Sequence, residues 1–203
     1  MEGRGVLMFR PQQLKTALAE VRLIAVHGPW TRAVEFRHLH VAVPDPLWGG
    51  ASKINGGRFT PKGGFDSIYL AWDSITALAE VQSLVFLSGG PFQPITPPWV
   101  VMSVDGVVSR VLDLTQAETL TALGTNGQEI SGAWEMIDFP PTQALARAAH
   151  GSGRIVGIKY PSAKNRGGGG VNLVVFPDRL GLNPTDYLEV KDPHGHLNQR
   201  IGA

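Results

Sequence analysis

From Pro11 onward the apolar residues Leu14, Ala17, Leu18, Val21 and Ala25 stand at offsets of 0, 3, 4, 7 and 11. This spacing predicts an amphipathic helix with proline near its start and Gly28-Pro29 beyond its end. The pattern then changes period. Ala33–Leu39 reads as a strand, and a Pro/Gly-rich passage from Pro44 to Gly64 carries Gly56-Gly57-Arg58 with little regular structure. Ser67–Ala71 reads as a short strand. Asp73 or Ser74 can cap a helix running to about Leu87 and stopped by Gly89-Gly90-Pro91. Ile75, Leu78, Ala79, Val85 and Phe86 would form its apolar stripe. Glu80, mid-helix, would lie ~140° around from Ile75, beside Thr76 and Ser83.

Further along, Trp99–Val104 and Val107–Leu112 alternate as two strands around Asp105-Gly106, a hairpin signal. Helices are expected at Gln116–Leu123 and Thr142–His150, and late strands at Arg154–Tyr160 and Asn172–Phe176. Arg166 and Gly167 to Gly170 separate these strands in a loop expected to be mobile. Strands and helices are interspersed without the rhythm of parallel strand–helix–strand units, so the expected class is α+β. No internal repeat is visible.

Composition narrows the picture. A chain of 203 residues, 43% of them hydrophobic, can fold around one core. Eighteen Lys plus Arg against seventeen Asp plus Glu give a formal charge of +1, too little to replace the counterions of a polyphosphate, so no direct nucleic-acid binding is expected. There is no cysteine, which removes disulfides, thiolate nucleophiles and Cys-based zinc sites together. Met1 to Gly5 are followed by a run of only four apolar residues, Val6 to Phe9, before Arg10, and no stretch approaches the ~20 apolar residues of a membrane span. The expectation is a soluble, cytoplasmic protein without membrane contact.

Four residues carry candidate chemistry. Two glycines before Arg58 allow a tight bend that aims a forked cation into a cleft, where it suits a pyrophosphate; a solvated loop arginine is the plain alternative. Tyr69 could stack on a planar heterocycle or close the edge of the core. Glu80 by periodicity alone is an exposed helix glutamate, and its functional reading needs that polar face to line a cleft. Ser162 follows Tyr160-Pro161, where proline fixes the backbone, and a serine there usually caps a turn. Rival motifs fail on chemistry. Gly151-Ser152-Gly153 has its next glycine at Gly157, the wrong spacing for a dinucleotide fingerprint, and Gly167–Gly170 lacks the Lys-Ser/Thr of a phosphate loop. Gly-x-Ser-x-Gly is absent. His38-Leu39-His40 and His194-Gly195-His196 read as surface or core-edge histidines, since no carboxylate follows His40 at close spacing to complete a His-His-acid set, so no metal is expected.

Taken in order, Gly56-Gly57-Arg58-Phe59, then Tyr69-Leu70-Ala71 leading into Ala77-Leu78-Ala79-Glu80-Val81, then Tyr160-Pro161-Ser162-Ala163 resemble the signature of the RES-domain toxins. That family is named for its Arg, Glu and Ser. The match runs from about Phe36 to Phe176. Phe36-Arg37 resembles the family's early aromatic–arginine pair and Asn172 its late Asn-Leu strand. Where relatives often carry an Asn and a second Pro after the Gly-Gly-Arg-aromatic core, this chain has Thr60-Pro61-Lys62-Gly63.

The resemblance implies a compact ADP-ribosyltransferase-like fold, two small sheets flanked by helices, with an NAD+ cleft between them. It sets residues 31–190 apart as the RES domain, with 1–30 as an N-terminal helical extension and 191–203 as a C-terminal tail. It further implies an NAD+ glycohydrolase or phosphorylase that takes NAD+ as substrate and needs no cofactor. Glu80, Arg58 and Ser162 would be catalytic, and Arg58, Tyr69, Ser162, Arg37 and Asn172 would bind substrate. The biological setting implied is a type II toxin–antitoxin pair: a homodimeric toxin silenced by an Xre-type antitoxin with a helix-turn-helix DNA-binding portion. Transfer of ADP-ribose to a cellular protein, or a non-enzymatic partner-binding module, are the alternatives.

Overall fold

Leu14, Leu18 and Val21 are all buried, which is why the first helical pattern becomes a helix, α1 (Pro11–Glu20). The computed structural model describes residues 11–203 except 84, 88, 89, 166 and 168. α1 is built into the core, lying against the helix Pro141–Gly151 (α7). Its C-terminal end is held by Arg154, whose Nη1 and Nη2 donate to the carbonyls of Leu18 and Val21 at 2.7 and 3.0 Å.

The strands are β1 (Ile24–His27), β2 (Trp30–Glu35), β3 (Ile68–Ala71), β6 (Trp99–Asp113), β7 (Gly157–Pro161), β8 (Val171–Val175), β9 (Tyr187–Val190) and β10 (Gln199–Gly202), with β4 (Val85–Leu87) and β5 (Gly90–Phe92) as a separate hairpin. The main sheet runs β10-β9-β6-β2-β3-β8-β7, with β1 also on β6. β7 returns to the far end of β6 in parallel register, Leu112 opposite Ile158, so the sheet closes on itself through one long strand. The segments set apart in sequence at both ends therefore supply strands of this sheet, β1 and β10. Instead of two small sheets, the described residues form an eight-stranded sheet and a two-stranded one; the α+β class stands.

Side chains alternate across β3 and β8. Ile68, Leu70, Leu173 and Val175 enter one core, with Val104, Val111 and Leu188. Tyr69 and Val174 face the other way, into a second core shared with α1 and α7. The outer face of β2, β3, β8 and β7 is thus part core and part cleft wall.

Three expectations need correction. The hairpin placed at Asp105-Gly106 is instead the middle of β6. Gly106 pairs with Leu188 of β9, and a Cβ at this position would collide with the Tyr187 carbonyl, so the glycine serves close backbone approach and not a turn. The strand expected to reach Leu39 ends at Glu35, and Phe36–Leu39 forms a short helix, α2.

The helix expected to reach about Leu87 covers only Ser74–Glu80 (α4). Asp73 caps it as anticipated, accepting from Thr76 N at 2.8 Å. At the other end Gln82 adopts φ 58°, Gln82 N bonds Ala79 O and Ser83 N bonds Leu78 O, which together make a Schellman stop. Glutamine in place of glycine hides that stop in the sequence. Val85 onward then forms a hairpin, Ile75 is exposed, and Thr76, Ala77 and Ala79 are the buried residues.

The remaining helices, α3 (Gly50–Asn55), α5 (Ala117–Ala122), α6 (Gly127–Ser131) and α7, surround the sheet. α5 and α7 fall where helices are expected, at Gln116–Leu123 and Thr142–His150. No helix of the described residues is long and apolar enough to cross a membrane. Of the glycine-rich loop expected to be mobile, Arg166 and Gly168 lie outside the described residues. Its base is fastened: Ser162 N donates to Gly170 O at 2.8 Å and Gly170 N to Asn165 O at 3.1 Å.

Candidate active site

A cleft of about 380 Å³ opens on the outer face of the sheet, where β3 and β8 meet the Gly56–Arg58 turn and the end of α4. Arg58, Tyr69, Glu80 and Asn172 all line it. Ser162 stands behind Glu80, and Arg37 is not brought there. Its side chain is 73% exposed and paired with Glu35 at 2.6 Å.

The loop that presents Arg58 is a tight turn. Gly57 N and Thr60 O are joined at 2.8 Å, and Thr60 N and Gly57 O at 3.2 Å. Gly56 has φ 84°, a left-handed backbone that glycine tolerates. A Cβ on Gly57 would lie 2.8 Å from the Tyr69 hydroxyl, so this glycine admits the tyrosine. The hydroxyl accepts from Phe59 N at 3.0 Å and shares a 2.9 Å bond with Thr60 Oγ1. Thr60, the departure from the family pattern, is thereby a strut between turn and strand. Burial pushes the Tyr69 phenol up to about 12, against the pull of Thr60, Phe59 and Arg58.

Arg58 is buried, and its Nη1 donates to the carbonyls of Ile130 and Gly132, both at 2.8 Å. The guanidinium therefore pins the chain just after α6, which carries two further lining residues, Trp134 and Glu135. Sequence reading missed this wall, since nothing local in Ser131–Glu135 marks it.

Glu80 closes the last turn of α4. One carboxylate oxygen, Oε1, accepts from Ser162 Oγ at 2.6 Å and from Asn172 Nδ2 at 2.7 Å. Ser162 Oγ in turn accepts from Lys164 N at 3.2 Å and Asn165 N at 3.0 Å. A hydroxyl has one proton to donate. That of Ser162 is committed to Glu80, so this serine orients the carboxylate and is not free to bond a ligand. Below it, Asn165 Nδ2 donates to Thr76 Oγ1 at 3.0 Å, and Thr76 donates to Asp73 at 2.8 Å. The polar face of α4 thus turns toward the sheet and its loops, as the functional reading of Glu80 requires.

A second tyrosine, Tyr160, was not anticipated as a site residue. It lies opposite Asn172 across β7 and β8, packs its ring 4.5 Å from Phe59 and lines the cleft. Burial raises its phenol well above the ordinary range, and nearby Tyr69 and Glu80 raise it further. The only sequence hint is its position two residues before Ser162.

In this α+β chain a cation, two phenols and a braced carboxylate stand around one cleft. Comparison with known proteins agrees on the class. A chain in the crystal structure of the M. tuberculosis MbcT-MbcA toxin-antitoxin complex superposes with a TM-score of 0.65 at 23% identity, over 95% of this chain and 92% of that one. The two chains thus share a fold. No curated protein matches the chain. The RES domain model matches residues 29–197, and the chain belongs to the RES domain family.

Proposed function

We propose that this protein consumes NAD+ by breaking its nicotinamide–ribose bond, and that it acts as the toxin of a toxin–antitoxin pair. The observation that carries this reading is the carboxylate of Glu80, braced on one oxygen by Ser162 and Asn172 at the edge of a cleft that also holds Arg58, Tyr69 and Tyr160.

In NAD+ the leaving ring is cationic, so the C–N bond electrons depart with it and neutral nicotinamide is released. Positive charge is left on the ribose. Glu80 stabilises that oxocarbenium-like sugar electrostatically, and its two donors hold it in place without reorganisation during the reaction. Arg58 offers its remaining nitrogens to the diphosphate, and the rings of Tyr69 and Tyr160 exclude water around the sugar. Water or inorganic phosphate then attacks the anomeric carbon through oxygen. Water loses a proton to solvent and yields ADP-ribose; phosphate yields the 1-phosphate.

An antitoxin partner is supported by the fold shared with a chain of a toxin–antitoxin complex. An Xre-type partner with a helix-turn-helix portion, a homodimeric toxin and a cytoplasmic setting belong to the same reading.

Incubating purified protein with NAD+, with and without phosphate, and separating the products tests it directly. Free nicotinamide with ADP-ribose or its 1-phosphate is expected, and E80Q should lower turnover by far more than it weakens NAD+ binding. Intact NAD+ in both conditions would overturn the reading in favour of protein modification or a binding module.

A further inference from the structure

The wall that Arg58 pins carries an aromatic ring and a carboxylate side by side. Trp134 is half-buried, Glu135 is exposed, and both line the cleft. Gly132 O accepts from Arg58 Nη1 at 2.8 Å and from Trp134 N at 3.0 Å, so the guanidinium is one shared carbonyl away from the tryptophan backbone. Trp134 stacks on no ring of the described residues. Glu135 forms no salt bridge with any of them. Ring face and carboxylate are both available to a ligand.

Charge decides which part of a dinucleotide suits this wall. A carboxylate repels a diphosphate, which belongs instead with the lining cations Arg58 and Lys164. An indole face beside a carboxylate attracts a flat cation, through the ring quadrupole and through direct Coulomb attraction. In NAD+ that cation is the oxidised nicotinamide ring.

Resting on the reading of the cleft as an NAD+ site, we propose that Trp134 and Glu135 form the subsite for the positively charged nicotinamide, so that the protein selects oxidised over reduced dinucleotide, with Arg58 as the positioning residue of that wall. The selection has chemical sense. Only the oxidised ring leaves as a neutral molecule, so binding the cation admits the cleavable form. The reduced ring is uncharged and loses both attractions.

The test uses full-length protein carrying E80Q, to slow turnover, and calorimetric titration with NAD+, NADH and ADP-ribose. In that background W134A should weaken NAD+ roughly 3- to 30-fold, W134F should restore most of the loss, and ADP-ribose should bind as before. E135Q should lower the preference for NAD+ over NADH and leave ADP-ribose untouched. Equal losses for NAD+ and ADP-ribose on W134A would place the ring against adenine and overturn the proposal. So would an NAD+ affinity indifferent to both residues while E80Q alone still binds it, an outcome that leaves the NAD+ reading intact. Absence of NAD+ binding in folded E80Q would sink both.

Discussion

Ser162 offers the sharpest perturbation, because its hydroxyl is fully used and almost fully enclosed, with 2% exposure. Ser162→Ala removes one hydroxyl donor to the Glu80 carboxylate at 2.6 Å and deprives Lys164 N and Asn165 N of their acceptor. A hydrogen bond to a charged group is worth about 1.5–3 kcal/mol. The two backbone donors lose a bond that is buried at Asn165 and part-buried at Lys164, which adds to that cost. A net stability loss of about 2–3 kcal/mol follows, which for a chain of this size lowers Tm by roughly 4–10 °C. If the same bond serves to aim Glu80 in the transition state, its loss lowers kcat by about 10- to 150-fold, with KM for NAD+ nearly unchanged, since Ser162 has no proton left for substrate. The assay is steady-state NAD+ cleavage in four proteins: wild type, Ser162→Ala, Glu80→Gln and the double variant. Acting through Glu80, the serine should matter little once the carboxylate is gone, so the double variant should resemble Glu80→Gln alone. A full multiplicative loss in the double variant, or a rise in KM with kcat preserved, would refute the positioning role and return Ser162 to direct substrate contact.

Three further outcomes are expected. Arg58→Lys keeps the charge, but its single nitrogen cannot both hold the two carbonyls that Nη1 now holds and reach a diphosphate; it should lose NAD+ affinity and loosen the chain after α6, visible as faster amide exchange at residues 131–136. Gly106→Ala should destabilise the fold by about 2 kcal/mol or more, because the added methyl meets the Tyr187 carbonyl across β6 and β9; denaturant melts measure it, and a wild-type midpoint would contradict the close approach. For Asp113, burial disfavours the charge, yet bonds from Thr115 and the Lys159 ammonium at 3.1 Å outweigh it and hold the carboxyl below the ordinary range. A depressed folded value gives stability that is present above the unfolded pKa of ~3.9 and is lost as pH falls through the folded one. Asp113→Asn should therefore be less stable than wild type at neutral pH, with the gap closing only below about pH 4.

How much of this was legible in sequence differs by element. α1 and α7 are legible because each buries one continuous face, α5 falls where a helix is expected although none of its own residues is buried, and the cap at Asp73 follows from its side chain. The helix end at Glu80 did not, since a Schellman stop normally announces itself with glycine and here Gln82 takes the left-handed position. Asp105-Gly106 misled for the opposite reason. The dipeptide favours a hairpin locally, and only the neighbouring backbone of β9 explains why a glycine stands in mid-strand.

The candidate site divides along the same line. Arg58, Glu80 and Ser162 in their spacing were enough to resemble the RES family, and sequence alone determined which residue types the cleft could draw on. Only tertiary structure decided what each touches there. It brought Ser162 and Asn172 onto one oxygen of Glu80 across 82 and 92 residues of chain. It turned Arg58 toward carbonyls 72 and 74 residues away, left Arg37 outside, and raised Trp134, Glu135 and Tyr160 into the wall. The physical reason is that hydrogen-bond partners this far apart in the chain are set by how the sheet closes through β6. Local pattern carries propensity and burial; it carries no record of which distant carbonyl a guanidinium will reach.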